Sequence, residues 1–342
     1  MGIGATKMAE LTTRFRHSQP APPKGPTEPL LERVLPAPIL PLTRTLAFQR
    51  QVAGPRLKAM RSTAATGNTP MIFIIGCGRS GTTLLGGMIG AHPQVSYLFE
   101  PYNVWAAISP VTDASQVFTR GEHHCILDAG SVTPEARRRF QRLMSRPPGI
   151  TLVEKSPFNT WRIGFLKALA PDAKFVHIVR DGVDVARSVE KCARGEYKLA
   201  FRPMLNPWWG VADAKWRALV ADGKKAGYYA AEVDQLQSNA QRGAYEWLVS
   251  QLEVRAWRDR LGPSMVEVTY QDLTLDPAET VRKIADAVGL SCPGDWLRQV
   301  TGWVNRSASS DGEPVVLPAQ MCDGFNSIQA SYGFPGRAVA ET

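Results

Sequence analysis

A glycine-rich segment, GCGRSG, runs from Gly76 to Gly81 and is followed by Thr82 and Thr83. Glycines let the backbone turn tightly, so that successive N–H groups can point at a single anion. A helix that begins near Thr82 would add the positive end of its dipole at the same place. The segment therefore predicts a loop that holds a phosphate or a similar anion; the alternative is a glycine-rich turn with no ligand.

The cation of this segment differs from that of the nucleoside-triphosphate loop, G-x-x-x-x-G-K-[ST]. Gly76 and Gly81 have the right spacing, but Thr82 stands where that loop has lysine. The lysine normally reaches the β- and γ-phosphates, so its absence argues against ATP or GTP. Arg79 supplies a guanidinium instead, which suits a tetrahedral anion with several oxygens.

A second basic segment, VRDGVDVARSV, carries Arg180 and, eight residues later, Ser188. Arg180 follows a predicted strand, and ligands of parallel sheets bind at the carboxyl ends of the strands. An arginine and a hydroxyl so placed could hold one more phosphate group. The alternative is an ion pair between Arg180 and Asp181 or Asp184.

Strands and helices are predicted to alternate around these two segments. Short apolar runs predict strands over 71–75, 151–153, 174–179 and 264–269. Helices are predicted over 82–91, 161–169, 183–193 and 277–288. The alternation predicts an α/β fold of three layers, a P-loop-type fold with a central parallel sheet flanked by helices.

Composition divides the chain into three parts. Residues 1–66 are proline-rich and basic, which predicts an extended arm with a helix over 41–60. The arm is either a tail or a segment that could wrap a neighbouring subunit of a homo-oligomer. Residues 67–310 form the predicted main domain, with a helical, aromatic-rich insert at 195–262. Residues 311–342 are predicted to be a C-terminal tail that packs on this domain.

The overall composition excludes several classes of protein. The 342 residues are 44% hydrophobic and 21% charged, which argues against disorder and coiled coil. The net charge of +9 favours an anionic partner or substrate. The five cysteines form no CxxC pair, which argues against a zinc site and favours a reducing compartment. With no run of 18 apolar residues and no secretory signal, we expect a cytoplasmic protein without a transmembrane segment.

The two motifs together resemble those of the sulfotransferases that use 3′-phosphoadenosine 5′-phosphosulfate (PAPS). Their phosphate loop lacks the lysine, as GCGRSGTTLL does here, and their second motif is a strand that ends in arginine with a serine eight residues later. The spacing from the loop to AHPQV and then to a glutamate is similar to the branch of tyrosylprotein sulfotransferases and related bacterial enzymes. The similarity extends over residues 71–100, 150–192 and 264–310.

The resemblance implies that PAPS is the co-substrate, that 3′-phosphoadenosine 5′-phosphate (PAP) is the product, and that no metal is needed. The implied donor-binding residues are Arg79, Ser80, Gly81, Thr82 and Thr83 for the 5′-phosphosulfate, Arg180 and Ser188 for the 3′-phosphate, Tyr270 near the adenine, and Arg306 and Ser307 on the 3′-phosphate side. The G-x-x-G-x-x-K segment of the cytosolic branch is absent from the sequence.

The resemblance also implies the catalytic residues of an in-line transfer, in which Arg79 takes part. Glu100 matches the general base of the tyrosylprotein branch, and Lys155 matches a lysine that contacts the transferring group. The alternatives are an ordinary salt bridge for Glu100 and a solvated lysine for Lys155. His123 and His124 are further candidates for the base, because other branches use histidine.

The acceptor is expected to bind the helical insert, where Trp208 or Trp209 could line a pocket. Hydroxyls of a small molecule, a glycolipid or a carbohydrate are favoured, with a protein tyrosine as the alternative. A second class of function is a P-loop kinase or nucleotide hydrolase, which needs the missing lysine. A third is a basic protein that binds nucleic acid or a membrane surface, but we find no nucleic-acid recognition motif and expect no such partner.

Overall fold

The computed structural model describes residues 40–61, 69–195, 208–304 and 313–341. Five strands form the central sheet: β1 (Met71–Ile75), β2 (Val95–Phe99), β3 (Thr151–Lys155), β4 (Lys174–Val179) and β5 (Met265–Thr269). They are parallel and lie in the order β2-β3-β1-β4-β5. A second sheet pairs β6 (Val315–Leu317) with β7 (Ala338–Ala340), also in parallel.

Helices surround the central sheet. The described helices are α1 (Leu40–Arg61), α2 (Thr82–Gly90), α3 (Tyr102–Ile108), α4 (Ala114–Thr119), α5 (Pro134–Met144), α6 (Ile163–Leu169), α7 (Gly182–Ala193), α8 (Ala214–Lys225), α9 (Asn239–Leu261), α10 (Tyr270–Leu275), α11 (Pro277–Val288), α12 (Gly294–Thr301) and α13 (Ala319–Ser331). No helix among these described residues has both the length and the apolar content needed to cross a membrane.

Strand β1 shows why the sheet has helices on both faces. All five of its residues are buried, because β3 and β4 flank it and helices cover both sides. Ile72 and Ile74 pack in one core with α2, α11 and α12. Phe73 and Ile75 pack in another with α3, α5 and α6, since successive side chains of a strand point to opposite faces. The predicted three-layer α/β fold is confirmed.

The sequence patterns located most of the strands, but not the edge of the sheet. Strand β2 was not predicted, because its sequence VSYLF lies at the sheet edge and only Tyr97 is buried. Strand β3 extends to Lys155, two residues beyond the prediction, because Glu154 and Lys155 are charged yet buried. The short strands β6 and β7 in the predicted tail were also missed.

The strand register brings the predicted motifs to one edge of the sheet. Ile74 of β1 and Phe99 of β2 both pair with Lys155, the last residue of β3. Val179 of β4 pairs with Thr269 of β5. The chain leaves the neighbouring strands β1 and β4 toward opposite sides, to β2 and to β5. Such a point opens a crevice beyond the carboxyl ends of the strands, where ligands of open α/β sheets bind.

Helix α1, the described part of the predicted arm, lies against the main body. Val52 is fully buried, and Arg142 of α5 donates a hydrogen bond to the carbonyl of Ala59 at 2.8 Å. Residues 1–39 and 62–66 of the arm lie outside the described residues. The division into arm, main domain and tail stays a prediction, as does the arm's role in a homo-oligomer.

Candidate active site

The glycine-rich segment forms the turn between β1 and α2. Its first residue is fixed by the hydroxyl of Thr160, which accepts from the Gly76 N–H at 2.8 Å and donates to the Gly76 carbonyl at 2.9 Å. A Cβ on Gly76 would lie 2.5 Å from the carbonyl oxygen of Ile178, so only glycine fits there. The loop is therefore held rigidly between β4 and the 3₁₀ turn Pro157–Trp161.

Two features of the loop fit an anionic ligand. The hydroxyl of Ser80 is fully buried and has no hydrogen-bond partner among the described residues. A buried hydroxyl without a partner is costly, and a bound phosphate oxygen would satisfy it. Gly81 adopts a φ of 93° directly before the N-terminus of α2, and a Cβ there would meet the ring of Tyr270 at 2.4 Å. The ring of Tyr270 therefore lies directly beside the predicted phosphate loop.

Arg79 joins the two basic motifs, which are far apart in the sequence. Its Nε donates to the Ser188 hydroxyl on α7 at 3.0 Å. Its backbone has a φ of 72°, a left-handed conformation that costs a non-glycine residue roughly 1–2 kcal/mol. Strained backbone of this kind is concentrated at functional sites. The predicted phosphate loop and the predicted second anion site thus meet at one place.

Arg180 stands just beyond the carboxyl end of β4, the strand that pairs with β1. Its Nη2 lies 3.0 Å from the carboxylate of Asp184, so the ion pair considered as an alternative is formed. Its guanidinium also lies over the ring of Tyr270, 4.6 Å from the centroid. Asp181 instead accepts from the backbone N–H groups that begin α7. Arg180 and Tyr270, both expected near the nucleotide, therefore contact each other.

Glu100 and Lys155 form an ion pair at the ends of β2 and β3. The Lys155 Nζ lies 2.5 Å from Glu100 Oε1; the lysine side chain is 1% exposed and that of the glutamate 27%. The lysine also lies over the Phe99 ring at 4.5 Å, and Tyr102 donates to Glu100 Oε2 at 3.3 Å. Burial and the charge of Glu100 raise the pKa of Tyr102 well above its ordinary value. Glu100 does form a salt bridge, and its partner is a second predicted catalytic residue, Lys155.

Residues 70–294 match the family model described as the sulfotransferase family. The match covers more than half of the chain. This chain belongs to the sulfotransferase family. The family expected from the two motifs is therefore confirmed.

Curated relatives of this sulfotransferase family member include protein-tyrosine sulfotransferases. That of Homo sapiens, protein-tyrosine sulfotransferase 1, is 34% identical over 134 residues, which are 37% of this chain and 35% of the relative. That of Danio rerio is 32% identical over 147 residues, which are 37% of this chain and 40% of the relative. The chain thus matches little more than a third of the length of these relatives.

Solved sulfotransferase structures also align with the chain. The sulfotransferase domain from the curacin biosynthetic pathway is 14% identical, with a TM-score of 0.49, over 78% of this chain and 99% of that domain. Sulfotransferase STF9 from Mycobacterium avium is 12% identical, with a TM-score of 0.48, over 88% of this chain and 84% of the other.

The two tryptophans of the predicted acceptor side have different environments in this sulfotransferase. The Trp208 ring lies against the predicted phosphate loop, where a Cβ on Gly78 would lie 3.1 Å from it. Its Nε1 donates to Glu246 at 2.9 Å, and Glu246 forms a buried ion pair with Lys215 at 2.7 Å. Trp209 is buried in the core. The Lys215–Glu246 pair was missed, because nothing in the sequence links two charges on separate helices.

The other predicted residues that the structure describes differ in their exposure. His124 Nδ1 lies 2.6 Å from Asp222 on α8, and its side chain is mostly exposed. His123 is partly exposed. Thr82 is buried at the start of α2 and Thr83 is exposed. Arg306 and Ser307 lie outside the described residues.

Glu154, beside Lys155 on β3, is a buried carboxyl that sequence analysis did not single out. It accepts hydrogen bonds from Trp105 Nε1, at 3.0 Å, and from the Asn159 side chain. Burial raises its pKa to about 8. Asn159 precedes Thr160, which holds Gly76, so Glu154 anchors the turn that supports the predicted phosphate loop.

Proposed function

We propose that this protein transfers a sulfuryl group from PAPS to a hydroxyl of an acceptor. The observation that carries the proposal is the hydrogen bond between Arg79 and Ser188. It joins the two motifs from which PAPS binding was expected, in a chain of the sulfotransferase family. A guanidinium and a hydroxyl at this junction suit a nucleotide that bears phosphate groups at both ends.

In this proposal, the donor lies across the crevice between β1 and β4. The 5′-phosphosulfate takes hydrogen bonds from the loop N–H groups, Arg79 and the buried Ser80 hydroxyl, at the N-terminus of α2. The 3′-phosphate binds Arg180 and Ser188, and Tyr270 lies beside the adenine. The resemblance adds Arg306 and Ser307, which lie outside the described residues, to the 3′-phosphate side.

The proposed chemistry is an in-line displacement at sulfur. The acceptor oxygen attacks the sulfur as Glu100 takes its proton, and a new S–O bond forms. The bond from sulfur to the 5′-phosphate oxygen breaks, and its electron pair leaves with the phosphate to give PAP. The Lys155 ammonium and the Arg79 guanidinium offset the charge that develops on this leaving oxygen. Glu100 and Lys155 are in direct contact in the structure, so the two side chains must separate before they can act on opposite sides of one sulfuryl group.

The acceptor proposed first is a hydroxyl of a small molecule, a glycolipid or a carbohydrate, with the Trp208 ring beside the loop as one wall of its pocket. The relatives named protein-tyrosine sulfotransferases supply a specific reason to test a tyrosine hydroxyl as well.

The five cysteines are unpaired, which is consistent with the proposed cytoplasmic location.

Binding of PAP and of ATP, measured by calorimetry with and without magnesium, tests the donor. We expect PAP to bind equally well in both conditions and more tightly than ATP. Magnesium-dependent ATP binding that exceeds PAP binding would support a kinase instead.

Transfer of labelled sulfate from PAPS to an acceptor panel tests the activity and the acceptor together. The panel holds simple phenols, sugars, glycolipids and tyrosine peptides, and Glu100→Gln is the matched inactive control. We expect labelled product with the wild type on at least one acceptor class and none with the variant. Wild-type protein that binds PAP but labels no member of the panel would contradict the proposal.

A further inference from the structure

The C-terminal segment, residues 319–336, reaches the start of α7, which begins two residues after Arg180. Gln329 of α13 is fully buried, and its Oε1 accepts a hydrogen bond from the Gly182 N–H at 2.9 Å. The other end of the same amide donates to the carbonyl of Gly336 at 3.0 Å. A single side chain therefore ties the C-terminal segment to the first residue of α7.

Asp181 makes a second connection between the same two segments. Its Oδ1 accepts from the N–H groups of Val183 and Asp184, at 2.8 and 3.3 Å, and so caps α7. Its Oδ2 accepts from the Gly336 N–H at 2.9 Å. A Cβ on Gly336 would lie 2.4 Å from Oδ1, so the close approach requires glycine there. The cap is thus held from both sides.

Phe325 of α13 completes the connection through apolar packing. A Cβ on Gly182 would lie 2.6 Å from the Phe325 ring, so the helix start fits tightly against it. The Phe325 ring in turn packs on Trp247, with centroids 4.8 Å apart. Trp247 Nε1 donates to the Arg180 carbonyl at 3.0 Å. Each residue from Arg180 to Gly182 is therefore held by α13, Gly336 or their neighbour Trp247: the first and the last through the backbone, and Asp181 through its carboxylate.

We propose that the segment 319–336 positions the 3′-phosphate pocket, with Gln329 and Gly336 as its positioning residues. This inference rests on the proposed function, since it concerns the same Arg180 and Ser188. The family match ends at residue 294, so the segment lies outside it. A pocket that recognises a phosphate needs its groups fixed closely, and Arg180 sits at the junction that the segment holds.

Two variants disturb this junction from the C-terminal side alone. Gln329→Met keeps the length of the side chain but removes both of its hydrogen bonds. Gly336→Ala places a methyl group against Asp181 and forces this cap to move. Neither residue belongs to the proposed donor-binding set. The readout is the ratio of the dissociation constants of adenosine 5′-phosphate and PAP, because these two nucleotides differ only in the 3′-phosphate.

Asn326→Leu is the matched control. Asn326 also lies on α13 and also makes two hydrogen bonds to the C-terminal backbone, both to Ala338, at 2.8 and 3.0 Å. It has no hydrogen bond to α7 in the described residues. A general loosening of the segment would affect this variant as much as Gln329→Met, whereas loss of the bond to Gly182 would not. Melting temperatures are measured for all three variants.

We expect Gln329→Met and Gly336→Ala to lower the preference for PAP by about tenfold, in line with loss of one or two well-placed polar contacts. Asn326→Leu should keep the wild-type preference. If Gln329→Met does not fold, the measurement on Gly336→Ala tests the inference. If Gln329→Met or Gly336→Ala folds and keeps the wild-type preference for PAP, the inference is overturned but the proposed function is not. Wild-type protein that does not bind PAP would overturn both.

Discussion

Glu100, the proposed base, contacts Lys155, the lysine proposed to stabilise the leaving group. This contact restricts how each can act. Lys155 is almost fully buried, and an ammonium removed from water needs an opposite charge beside it. Glu100 supplies that charge, and the ionised carboxylate is also the form that accepts a proton. The backbone N–H of Glu100 donates to the Lys155 carbonyl at 2.8 Å, and Glu100 has a φ of 44°. The two strand ends therefore fix Glu100 at the carboxyl edge of the sheet.

Glu100→Gln should lower kcat by about 10²- to 10⁴-fold, because the amide cannot take the proton of the acceptor. PAP affinity should stay within about threefold of wild type, because Glu100 does not touch the donor's phosphates in the proposal. Steady-state transfer assays and PAP calorimetry measure the two quantities. Glu122→Gln, at an exposed carboxylate paired with Arg120, is the control. Normal kcat in Glu100→Gln would make His123 or His124 the next candidate base.

Thr160→Val should weaken PAP binding by about tenfold, because it leaves the N–H and the carbonyl of Gly76 without their partner. Thr160→Ser keeps the hydroxyl and should restore most of the affinity. Calorimetry with PAP measures both.

Thr112→Val is the matched control for Thr160→Val, since it removes another buried hydroxyl, which donates to the Ser109 carbonyl at 2.7 Å. It should cost stability without changing PAP affinity. Equal PAP affinity in Thr160→Val, Thr160→Ser and Thr112→Val would show that the hydrogen bonds from Thr160 do not shape the loop.

At the scale of elements, β5, α9 and the C-terminal segment are joined by one polar cluster. Glu267 of β5 lies 2.7 Å from Nδ1 of the buried His177. It also accepts from Arg258 of α9, at 2.7 Å, and from the hydroxyl of Tyr332, at 3.0 Å. Burial alone would raise the pKa of Glu267, but the bond and charge of His177, the charge of Arg258 and the Tyr332 hydroxyl lower it to about 2. The ionised carboxylate therefore stabilises the folded state.

Because the folded pKa of Glu267 lies below the unfolded value of about 4.5, its stabilisation is present above that value and is lost as pH falls toward 2. The two values correspond to a contribution of up to about 3 kcal/mol at neutral pH. Glu267→Gln should lower the free energy of unfolding at pH 7 and flatten its decline between pH 5 and pH 3. Urea unfolding of wild type and Glu267→Gln, at pH 7 and between pH 5 and pH 3, measures these free energies. Parallel pH profiles of wild type and variant would contradict this role.

Local patterns identified the elements that lie at the centre of the sheet, because strands buried on both faces are continuously apolar, as MIFII is in β1. They also identified the glycine loop and the arginine after β4, whose chemistry depends on neighbours in sequence. They could not identify partners that meet only in three dimensions. Gln329 and Gly182 are 147 residues apart, and no local signal marks either as half of a pair. The same holds for Lys215 and Glu246.

For the whole molecule, the order of the strands explains why motifs from distant parts of the chain serve one crevice. Each of the five strands brings one feature to the carboxyl edge of the sheet. These are the loop after β1, Glu100 after β2, Lys155 at the end of β3, Arg180 after β4 and Tyr270 after β5. The net charge of +9 supplies a background field that favours an anionic donor. The acceptor does not follow from this arrangement, because in our proposal it contacts side chains outside the two motifs.

The crystal structure of the protein soaked with PAP tests the central claim most directly. We expect the 5′-phosphate within hydrogen-bond distance of the loop N–H groups and the Ser80 hydroxyl. The 3′-phosphate should lie between Arg180 and Ser188, with Glu100 and Lys155 facing the position of the departed sulfuryl group. A nucleotide bound elsewhere, or bound with its 3′-phosphate away from Arg180, would contradict the account.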